Sequence, residues 1–301
     1  MTDKHTTPDG LVIVDKPSGF TSHDVVAKMR GIARTRRVGH AGTLDPMATG
    51  VLVLGVERAT KLLGHLALTE KEYVGTVRLG QTTLTDDAEG EITGSTDASK
   101  VTRDAIDAGI AELTGAIMQV PSKVSAIKIN GVRSYKRARE GEEFEIPARP
   151  VTVSSFTVYD VREDTAEDGT PVQDLVVSVV CSSGTYIRAL ARDLGAGLGV
   201  GGHLTALRRT RVGPYRLDAA KTLDGHQQEL TVMPVAEAAG AAFPRWDVDT
   251  RRARLLANGV RLEMPEEYAG VGAVAVFGSD GTLLALVEEE RGKAKSLAVF
   301  G

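Results

Sequence analysis

The N-terminal part of the chain alternates short apolar runs with turn residues. GLVIVD at residues 10–15 is followed by KPSG, and VLVLGV at 51–56 is a second run of the same kind. Short apolar runs bounded by turn residues are typical of buried strands. Between them, Thr21 with Asp24 three residues later resembles a capping box. The pattern therefore predicts a strand, a helix from about Ser22 to Arg34, an irregular loop and a second strand.

The middle of the chain predicts further strands and helices in irregular alternation. Strands are predicted at 72–80, 123–129, 151–159 and 172–181. Helices are predicted near 102–113, at 131–140 with Gly141 as the stop, and from the cap residue Thr185 to Leu194. Several strand pairs have no crossover helix between them. This favours an α+β fold with a mixed, largely antiparallel sheet over a doubly wound parallel one.

The C-terminal part has a different pattern. After an Ala-rich helix and the linker AFPRWD at 242–247, the segments VGAVAVFG, TLLALVEEE and KSLAVF follow at hairpin spacing with Gly-rich turns. Residues 245–301 therefore predict a small all-β domain. The larger domain is predicted at 9–241, after a loose tail at 1–8.

Composition adds limits on the class of protein. The 301 residues are 42% hydrophobic and 25% charged. No apolar run approaches the roughly 20 residues that a membrane span needs, so we expect a soluble protein. The one cysteine, Cys181, excludes an internal disulfide and a multi-cysteine zinc site, and MTDKHTTPDG lacks the apolar core of a secretion signal. The expected location is the cytoplasm.

The net charge of -4 hides a strong sorting of charges along the chain. Basic residues without acids fill the blocks 28–40, 123–139 and 208–216, whereas acids cluster at 86–91, 140–145 and 288–290. Any one block is typical of solvated surface. Three acid-free basic blocks in an acidic protein favour a basic face that meets phosphates.

Common cofactor and catalytic motifs give little support. GLGVGG at 197–202 matches the dinucleotide fingerprint, but a predicted helix rather than a strand precedes it. No Walker sequence, HExxH pair or GxSxG elbow occurs, and the six histidines never fall in ligand spacing. Metal and acyl-transfer chemistry are therefore poorly supported.

The stretch GHAGTLDPMATG at 39–50 sets a single carboxylate, Asp45, in a glycine-containing loop. A glycine loop usually cradles a phosphate, which a carboxylate would repel unless a metal intervened. From spacing alone, an aspartate before proline is most often a turn-former that bonds its own backbone. The pattern alone leaves its role open.

Four blocks of this sequence resemble the TruB family, the bacterial tRNA pseudouridine-55 synthases. They are GLVIVDKPSGFTSHDVV at 10–26, RVGHAGTLDPMATGVLVLGVERATK at 37–61, KEYVGTVRLGQTTLTDDAEG at 71–90 and CSSGTYIRALARDLG at 181–195. The resemblance runs in order over about 9–216, and the C-terminal stretch is loosely similar to a PUA-type RNA-binding barrel. It implies that a uridine in the T-arm loop of tRNA is flipped out and isomerised without a cofactor.

The resemblance also implies roles for individual residues. Asp45 is then the nucleophile, Arg188 the cation that pairs with it, and Tyr73 the active-site tyrosine that stacks on the base and takes the C5 proton. His40 fills the stack that the base leaves. The other residues expected to contact substrate are Lys16, Gly42, Thr43, Tyr186 and Leu207. The RNA-contacting segment is expected at about 121–150. The implied partner is tRNA, and we expect a monomer without an obligate protein partner or a membrane.

Two alternatives from the sequence stay open. An RNA-binding or RNA-folding protein with a vestigial site would keep the basic blocks and His40, but it would not need Asp45, Tyr73 and Arg188 together. A pseudouridine synthase for another RNA, similar to the guide-directed archaeal and eukaryotic relatives, would keep the fold and lean on partner proteins. A chain with its own second domain favours the stand-alone tRNA enzyme.

Overall fold

The computed structural model describes residues 9–123, 128–129, 132–133 and 146–300. The chain forms two compact units. The first comprises Met1–Asp45, Gly50–Leu68 and Val212–Gly301, and the second comprises Pro46–Thr49 and Thr69–Arg211. Four predictions lie wholly or mostly outside the described residues: the tail at 1–8, the strand at 123–129, the helix at 131–140 and the RNA-contacting segment at 121–150.

The strands and helices are numbered in chain order. The strands are β1 (Gly10–Lys16), β2 (Val38–Ala41), β3 (Thr49–Val56), β4 (Lys71–Leu79), β5 (Gln81–Thr83), β6 (Ile92–Ser95), β7 (Gly115–Gln119), β8 (Lys128–Ile129), β9 (Val132–Arg133), β10 (Arg149–Thr165), β11 (Pro171–Cys181), β12 (Gly202–Val212), β13 (Tyr215–Arg216), β14 (Met233–Pro234), β15 (Arg245–Asp247), β16 (Val274–Phe277), β17 (Leu283–Glu290) and β18 (Lys293–Val299). The α-helices are α1 (Ser22–Ile32), α2 (Leu63–Leu66), α3 (Arg103–Glu112), α4 (Ile187–Gly197), α5 (Leu223–Gln228), α6 (Val235–Ala242) and α7 (Thr250–Ala257). Short 3₁₀ turns span Glu57–Leu62, Leu217–Ala219 and Glu266–Tyr268.

Strand β1 is the centre of the first unit. It pairs antiparallel with β3 from Gly10↔Val56 to Lys16↔Gly50, and β14 pairs with its other edge. Alternate residues of β1 enter two different cores, since Val12 packs with α1 whereas Leu11 packs with the C-terminal region. Both faces of the strand are therefore buried, which explains its continuous apolar run.

Helix α1 begins at the predicted capping box. The Thr21 hydroxyl accepts a hydrogen bond from the backbone N–H of Asp24 at 3.1 Å, and the Asp24 carboxylate accepts one from the N–H of Thr21 at 2.9 Å. Val25 and Met29 lie on the buried face, one turn apart, against β1 and β3. The helix ends at Ile32, two residues before the predicted end.

The C-terminal residues form a four-stranded sheet in the order β15-β16-β17-β18, in which β15 runs parallel to β16 and the other pairs are antiparallel. The expected all-β region is thus confirmed, with α7 as an unpredicted addition. Phe277 and Phe300 pack in one core with Leu11 and Val53. The sheet is therefore part of the first unit's core, and the predicted domain boundary near residue 245 stays a prediction.

The second unit has strands in the order β12-β4-β11-β10-β7. Strand β11 pairs antiparallel with β4 and with β10, and β10 pairs antiparallel with β7. Helices α3 and α4 approach closely, since a Cβ on Gly109 would lie 2.8 Å from Leu194. The predicted α+β class with a largely antiparallel sheet is confirmed.

Helix α4 differs from the prediction at both of its ends. Its N-cap is Tyr186, without a side-chain cap, because the Thr185 hydroxyl donates to the carbonyl oxygen of Ser182 instead. The helix continues to Gly197 rather than ending at Leu194. The Gly-rich turn after it leads into β12, and a Cβ on Gly195 would lie 2.2 Å from Gly202. The glycines of this segment allow the helix and the strand to pack closely. The structure therefore gives them a packing role, in agreement with the rejection of a dinucleotide-binding motif.

No helix in the described parts of the chain is long and apolar enough to cross a membrane.

Candidate active site

The loop that carries Asp45 connects β2 to β3 and is fixed to helix α1. The backbone N–H of Leu44 donates to the Ser22 hydroxyl at 2.9 Å, and that hydroxyl lies 3.3 Å from the carbonyl oxygen of Leu44. Both Ser22 and Leu44 are buried. Asp45 itself is half-buried and Thr43 is exposed. The loop therefore holds Asp45 by bonding the residue before it at both backbone groups.

Glycine is required at the start of this loop. Gly42 has φ +79°, in the left-handed region that residues with a Cβ rarely adopt. The chain turns there directly after β2, so Thr43, Leu44 and Asp45 leave the sheet. Gly42 thus has a backbone role in the structure, and its expected contact with substrate stays a prediction.

We expect Ser22→Ala to weaken both the fold and the reaction. The substitution leaves the buried N–H and C=O of Leu44 without their side-chain partner, which costs about 1–3 kcal/mol for a buried unsatisfied group. Thermal unfolding and turnover of the variant measure the two effects. Ser99→Ala, at an exposed serine, is the matched control. Full stability and turnover of Ser22→Ala would contradict an anchoring role.

His40 and Lys16 flank the loop within the first unit. The His40 ring packs edge to face against His23 of α1, with ring centroids 5.4 Å apart and planes at 80°. Lys16 is fully buried, and its ammonium donates to the carbonyl oxygens of Pro17 at 2.9 Å and Phe20 at 2.6 Å. Lys16 therefore holds the turn that leads into α1, and a further contact with substrate stays a prediction.

Arg188 lies in the second unit and pairs with an acid that the sequence did not single out. Its guanidinium is 3.2 Å from the Asp87 carboxylate and donates to the carbonyl oxygen of Thr85 at 2.8 Å. The side chains of Arg188 and Asp87 are only 6% and 2% exposed. Separating the two charges of a buried pair is costly, because each would be left as an uncompensated buried charge. The pair therefore fixes the orientation of the Arg188 side chain. The pairing of Arg188 with Asp45 stays a prediction.

The acidic cluster at 86–91 is therefore not simply solvated surface. Asp87 also accepts from the Thr85 hydroxyl and from the backbone N–H of Glu89 at 3.0 Å. Asp86 has φ +60° and pairs with Arg192, one turn after Arg188, at 3.3 Å. Burial raises the pKa of the Asp86 carboxyl. The signal that sequence reasoning missed is the spacing of Arg188 and Arg192 on one helix face, opposite two adjacent acids.

Tyr73 is buried on strand β4 of the second unit. Residues 71, 73 and 75 share its face, because side chains alternate along a strand. A Cβ on Gly75 would lie 3.4 Å from the Leu207 side chain and 2.7 Å from the Ala206 carbonyl oxygen. Leu207 of β12 therefore lies against Gly75, on the face of β4 that also carries Tyr73. A shared pocket of Tyr73 and Leu207 stays a prediction.

The same face of β4 carries a buried cation. Lys71 is buried, and its ammonium donates to the carbonyl oxygen of Thr69 at 2.8 Å. Burial, together with the nearby guanidinium of Arg209, lowers the pKa of Lys71 to about 8. Arg209 is itself only 1% exposed. Two buried cations therefore lie close together, and Lys71 is on the face of β4 that holds Tyr73.

Tyr186 is positioned by a side-chain amide. Gln119 donates to the carbonyl oxygen of Tyr186 at 3.0 Å and accepts from its backbone N–H at 2.8 Å. Gln119 is buried at the end of β7. Gln119 bonds both backbone groups of Tyr186, as Ser22 does with Leu44. Both interactions join segments far apart in sequence, and no local pattern predicts them.

The predicted site residues divide between the two units. Lys16, His40, Gly42, Thr43 and Asp45 belong to the first, whereas Tyr73, Tyr186, Arg188 and Leu207 belong to the second. Among the residues that the structure describes, no group of three His, Cys, Asp or Glu side chains could hold a metal ion.

Family models match the chain over nearly its whole length. Residues 30–187 match the TruB family pseudouridylate synthase N-terminal domain. Residues 188–236 match the tRNA pseudouridylate synthase B C-terminal domain, and 243–301 match tRNA pseudouridine synthase II, C-terminal. The first match alone covers more than half of the 301 residues.

Individual relatives give the same picture. The chain is 89% identical to tRNA pseudouridine synthase B of Streptomyces coelicolor over the full length of both chains. It is 58% identical to that of Thermobifida fusca, over 97% of this chain and 98% of the relative. A chain in the crystal structure of a Cbf5–Nop10–Gar1 complex is similar with a TM-score of 0.71 and 26% identity, over 97% of this chain and 84% of that one. The chain belongs to the TruB family of pseudouridine synthases, and it is an isomerase.

Proposed function

We propose that this isomerase converts a uridine in the T-arm loop of tRNA to pseudouridine, with Asp45 as the nucleophile. The relatives that match over the full chain are named tRNA pseudouridine synthase B, which supports tRNA as the substrate. The observation that carries the proposal is the fixed loop around Asp45, in which Ser22 holds Leu44 at both backbone groups. A nucleophile that must act at one atom needs this kind of preorganisation.

The reaction makes a single carboxylate sufficient. The bond between N1 of the uracil and C1′ of the ribose breaks, the base turns, and C5 bonds to C1′ while the C5 proton leaves and N1 takes up a proton. The product is an isomer of the substrate, so the balance needs no oxidant and no second substrate. Asp45 attacks C6 or C1′, or removes the C2′ proton, and each route uses one ionised oxygen. A pair of carboxylates, as in glycosidases, would instead favour hydrolysis.

The target base has to leave its stack before Asp45 can reach it. Flipping a nucleotide out of a folded RNA costs a few kcal/mol, and a ring that fills the gap offsets part of that cost. We assign this part to His40, which already packs against the ring of His23. A flat, weakly basic ring suits stacking between bases.

Arg188 and Tyr73 complete the proposed chemistry. We infer that Arg188, held by Asp87 and by the carbonyl oxygen of Thr85, pairs with the Asp45 carboxylate and orients it. Tyr73 stacks on the flipped base beside Leu207 and accepts the C5 proton after the new bond forms. The Lys71 ammonium lies on the same face of β4 as Tyr73, where a cation would stabilise the phenolate oxygen that accepts the proton.

Substituting Tyr73 separates its ring from its hydroxyl. Tyr73→Phe keeps the stacking ring, so RNA affinity stays close to that of the parent, whereas Tyr73→Leu loses part of the ~1–3 kcal/mol of one stacked base. Turnover falls by roughly 100-fold or more in both variants, the usual contribution of a positioned base. Titrations with a T-arm stem-loop and single-turnover rates measure the two effects. Parental turnover of Tyr73→Phe would leave Tyr73 as a stacking platform only.

A direct test follows the hydrogen that leaves C5. We expect the protein to release tritium from a T-arm stem-loop labelled at C5 of its uridines, with no cofactor added, and to release none from a stem-loop whose loop uridines are cytidines. Tritium release from RNAs other than tRNA, but not from the T-arm, would favour a synthase for another RNA. RNA binding without any release would favour an RNA-folding protein with a vestigial site.

The proposal includes a monomer that needs no partner protein. The structural neighbours occur in complexes with Nop10 and Gar1, whereas the relatives with 89% and 58% identity match this chain over 98% or more of their length. The cytoplasmic location expected from the sequence stays a prediction. Residues 245–301 remain proposed as an RNA-binding part of the chain.

A further inference from the structure

The end of helix α1 forms a cleft of about 660 Å³, lined by Arg30, Gly31, Arg34, Thr35 and Arg36. We call it the arginine cleft. Three of its five lining residues are arginines and none is acidic. The Glu57 carboxylate accepts a hydrogen bond from the Thr35 hydroxyl and pairs with Arg37. The cleft is therefore a concentrated positive site in a protein of net charge -4.

The backbone at this helix end is a Schellman motif with an arginine where glycine is usual. The N–H of Thr35 donates to the Arg30 carbonyl oxygen at 3.2 Å, and the N–H of Arg34 donates to that of Gly31 at 3.4 Å. Arg34 has φ +54°, in the left-handed region that favours glycine. An arginine held in this unfavourable backbone conformation indicates a role for its side chain in addition to ending the helix.

The arginine side chains of the cleft are largely without protein partners. Arg34 and Arg36 make no side-chain hydrogen bond or ion pair with the part of the chain that the structure describes. Arg30 has one long bond, 3.4 Å, to the carbonyl oxygen of Val38. Attraction to the helix dipole accounts for a cation in the last turn, such as Arg30. It does not account for Arg36, which lies beyond the helix.

We infer that the arginine cleft binds a backbone phosphodiester of the substrate RNA. This inference rests on the proposed RNA substrate. A guanidinium presents paired N–H donors that match two phosphate oxygens, and exposed arginines without partners need not break an ion pair to do so. Two arginines of the third basic block cannot serve in the same way, because Arg209 is buried and Arg211 pairs with Glu70 and Glu72. The sequence alone did not distinguish the three basic blocks as phosphate contacts. The structure favours the arginine cleft, whose arginines are exposed.

The test compares Arg34→Gly, Arg36→Gln and the double variant with the parent. Filter binding of a T-arm stem-loop is measured over a series of KCl concentrations. We expect weaker binding and a log–log salt slope flatter by about 0.7–0.9 for one lost phosphate contact in the double variant. We also expect Arg34→Gly to unfold at the same or a higher temperature, since glycine suits φ +54°. A purely structural arginine would give lower stability and unchanged affinity.

The matched control is Arg162→Gln, which removes one exposed arginine that pairs with Asp160 at 2.7 Å. Its affinity and salt slope should equal those of the parent. An unchanged slope in the double variant, or an equal change in the control, overturns the inference. So does a double variant that loses binding of inorganic phosphate while keeping the parental RNA slope. Failure of the proposed reaction would appear separately, as a parent protein that binds the stem-loop but forms no pseudouridine.

Discussion

Asp45→Asn is expected to abolish pseudouridine formation while RNA affinity stays within a few-fold of the parent. The amide keeps the volume of the side chain but loses the ionised oxygen that attacks the nucleoside. Ser22 still holds Leu44 in the variant, so the loop keeps its backbone position. Single-turnover assays with a T-arm stem-loop measure the chemical step, and filter binding measures affinity.

The control for this result is Asp97→Asn. Asp97 is exposed, and its carboxylate accepts local hydrogen bonds from the backbone N–H and from the hydroxyl of Ser99. The control should turn over like the parent. Retention of about a tenth of the parental rate by Asp45→Asn would show that another group acts as the nucleophile, because loss of a covalent nucleophile costs far more than that.

Arg188→Lys is expected to lower turnover by about 100-fold, the size of effect that a displacement of about 1 Å in a reacting group produces. A lysine carries the charge but cannot bond the Asp87 carboxylate and the Thr85 carbonyl oxygen in one plane. The loss should appear in the single-turnover rate at saturating RNA. Affinity should change little.

Arg192→Lys is the matched control for Arg188→Lys. It makes the same chemical change one turn later on α4, where the side chain is 26% exposed and pairs with Asp86 and Asp193. Its turnover should remain near that of the parent. Equal losses in both variants would indicate a general effect on α4, and parental turnover of Arg188→Lys would remove Arg188 from the proposed chemistry.

Local patterns in the sequence were sufficient for the elements whose signals are local. The capping box of Thr21 and Asp24 and the apolar run of β1 correspond to observed contacts. Strand β12 was not predicted, because its arginines suggested surface. In the fold, Arg209 is buried and Arg211 lies between two acids of β4 and the loop before it. Charge along a strand does not reveal which partners the neighbouring strand will bring.

The candidate site shows the same limit. Asp45, Tyr73 and Arg188 were predicted from the family motifs, whereas Ser22, Asp87 and Gln119 were not. Each of these three acts through a contact across a long stretch of sequence, such as the 67 residues between Gln119 and Tyr186. Their residue types are common, and only the fold gives them a role.

The C-terminal region forms the all-β sheet that its hairpin spacing predicted. Phe277 and Phe300 of this region share a core with Leu11 of β1, and the predicted domain boundary stays a prediction. Removing residues 245–301 would therefore expose apolar surface of the first unit. Substitutions on the exposed side of this sheet are a better probe of RNA binding there than a truncation.

The central claim is tested most directly by mapping pseudouridine in a T-arm stem-loop after incubation with the protein and no cofactor. Carbodiimide labelling followed by reverse transcription marks each pseudouridine as a stop. The account predicts a single new stop in the loop with the parent protein and no stop with Asp45→Asn. A stop that persists in Asp45→Asn, or no stop with a parent protein that binds the RNA, would contradict it.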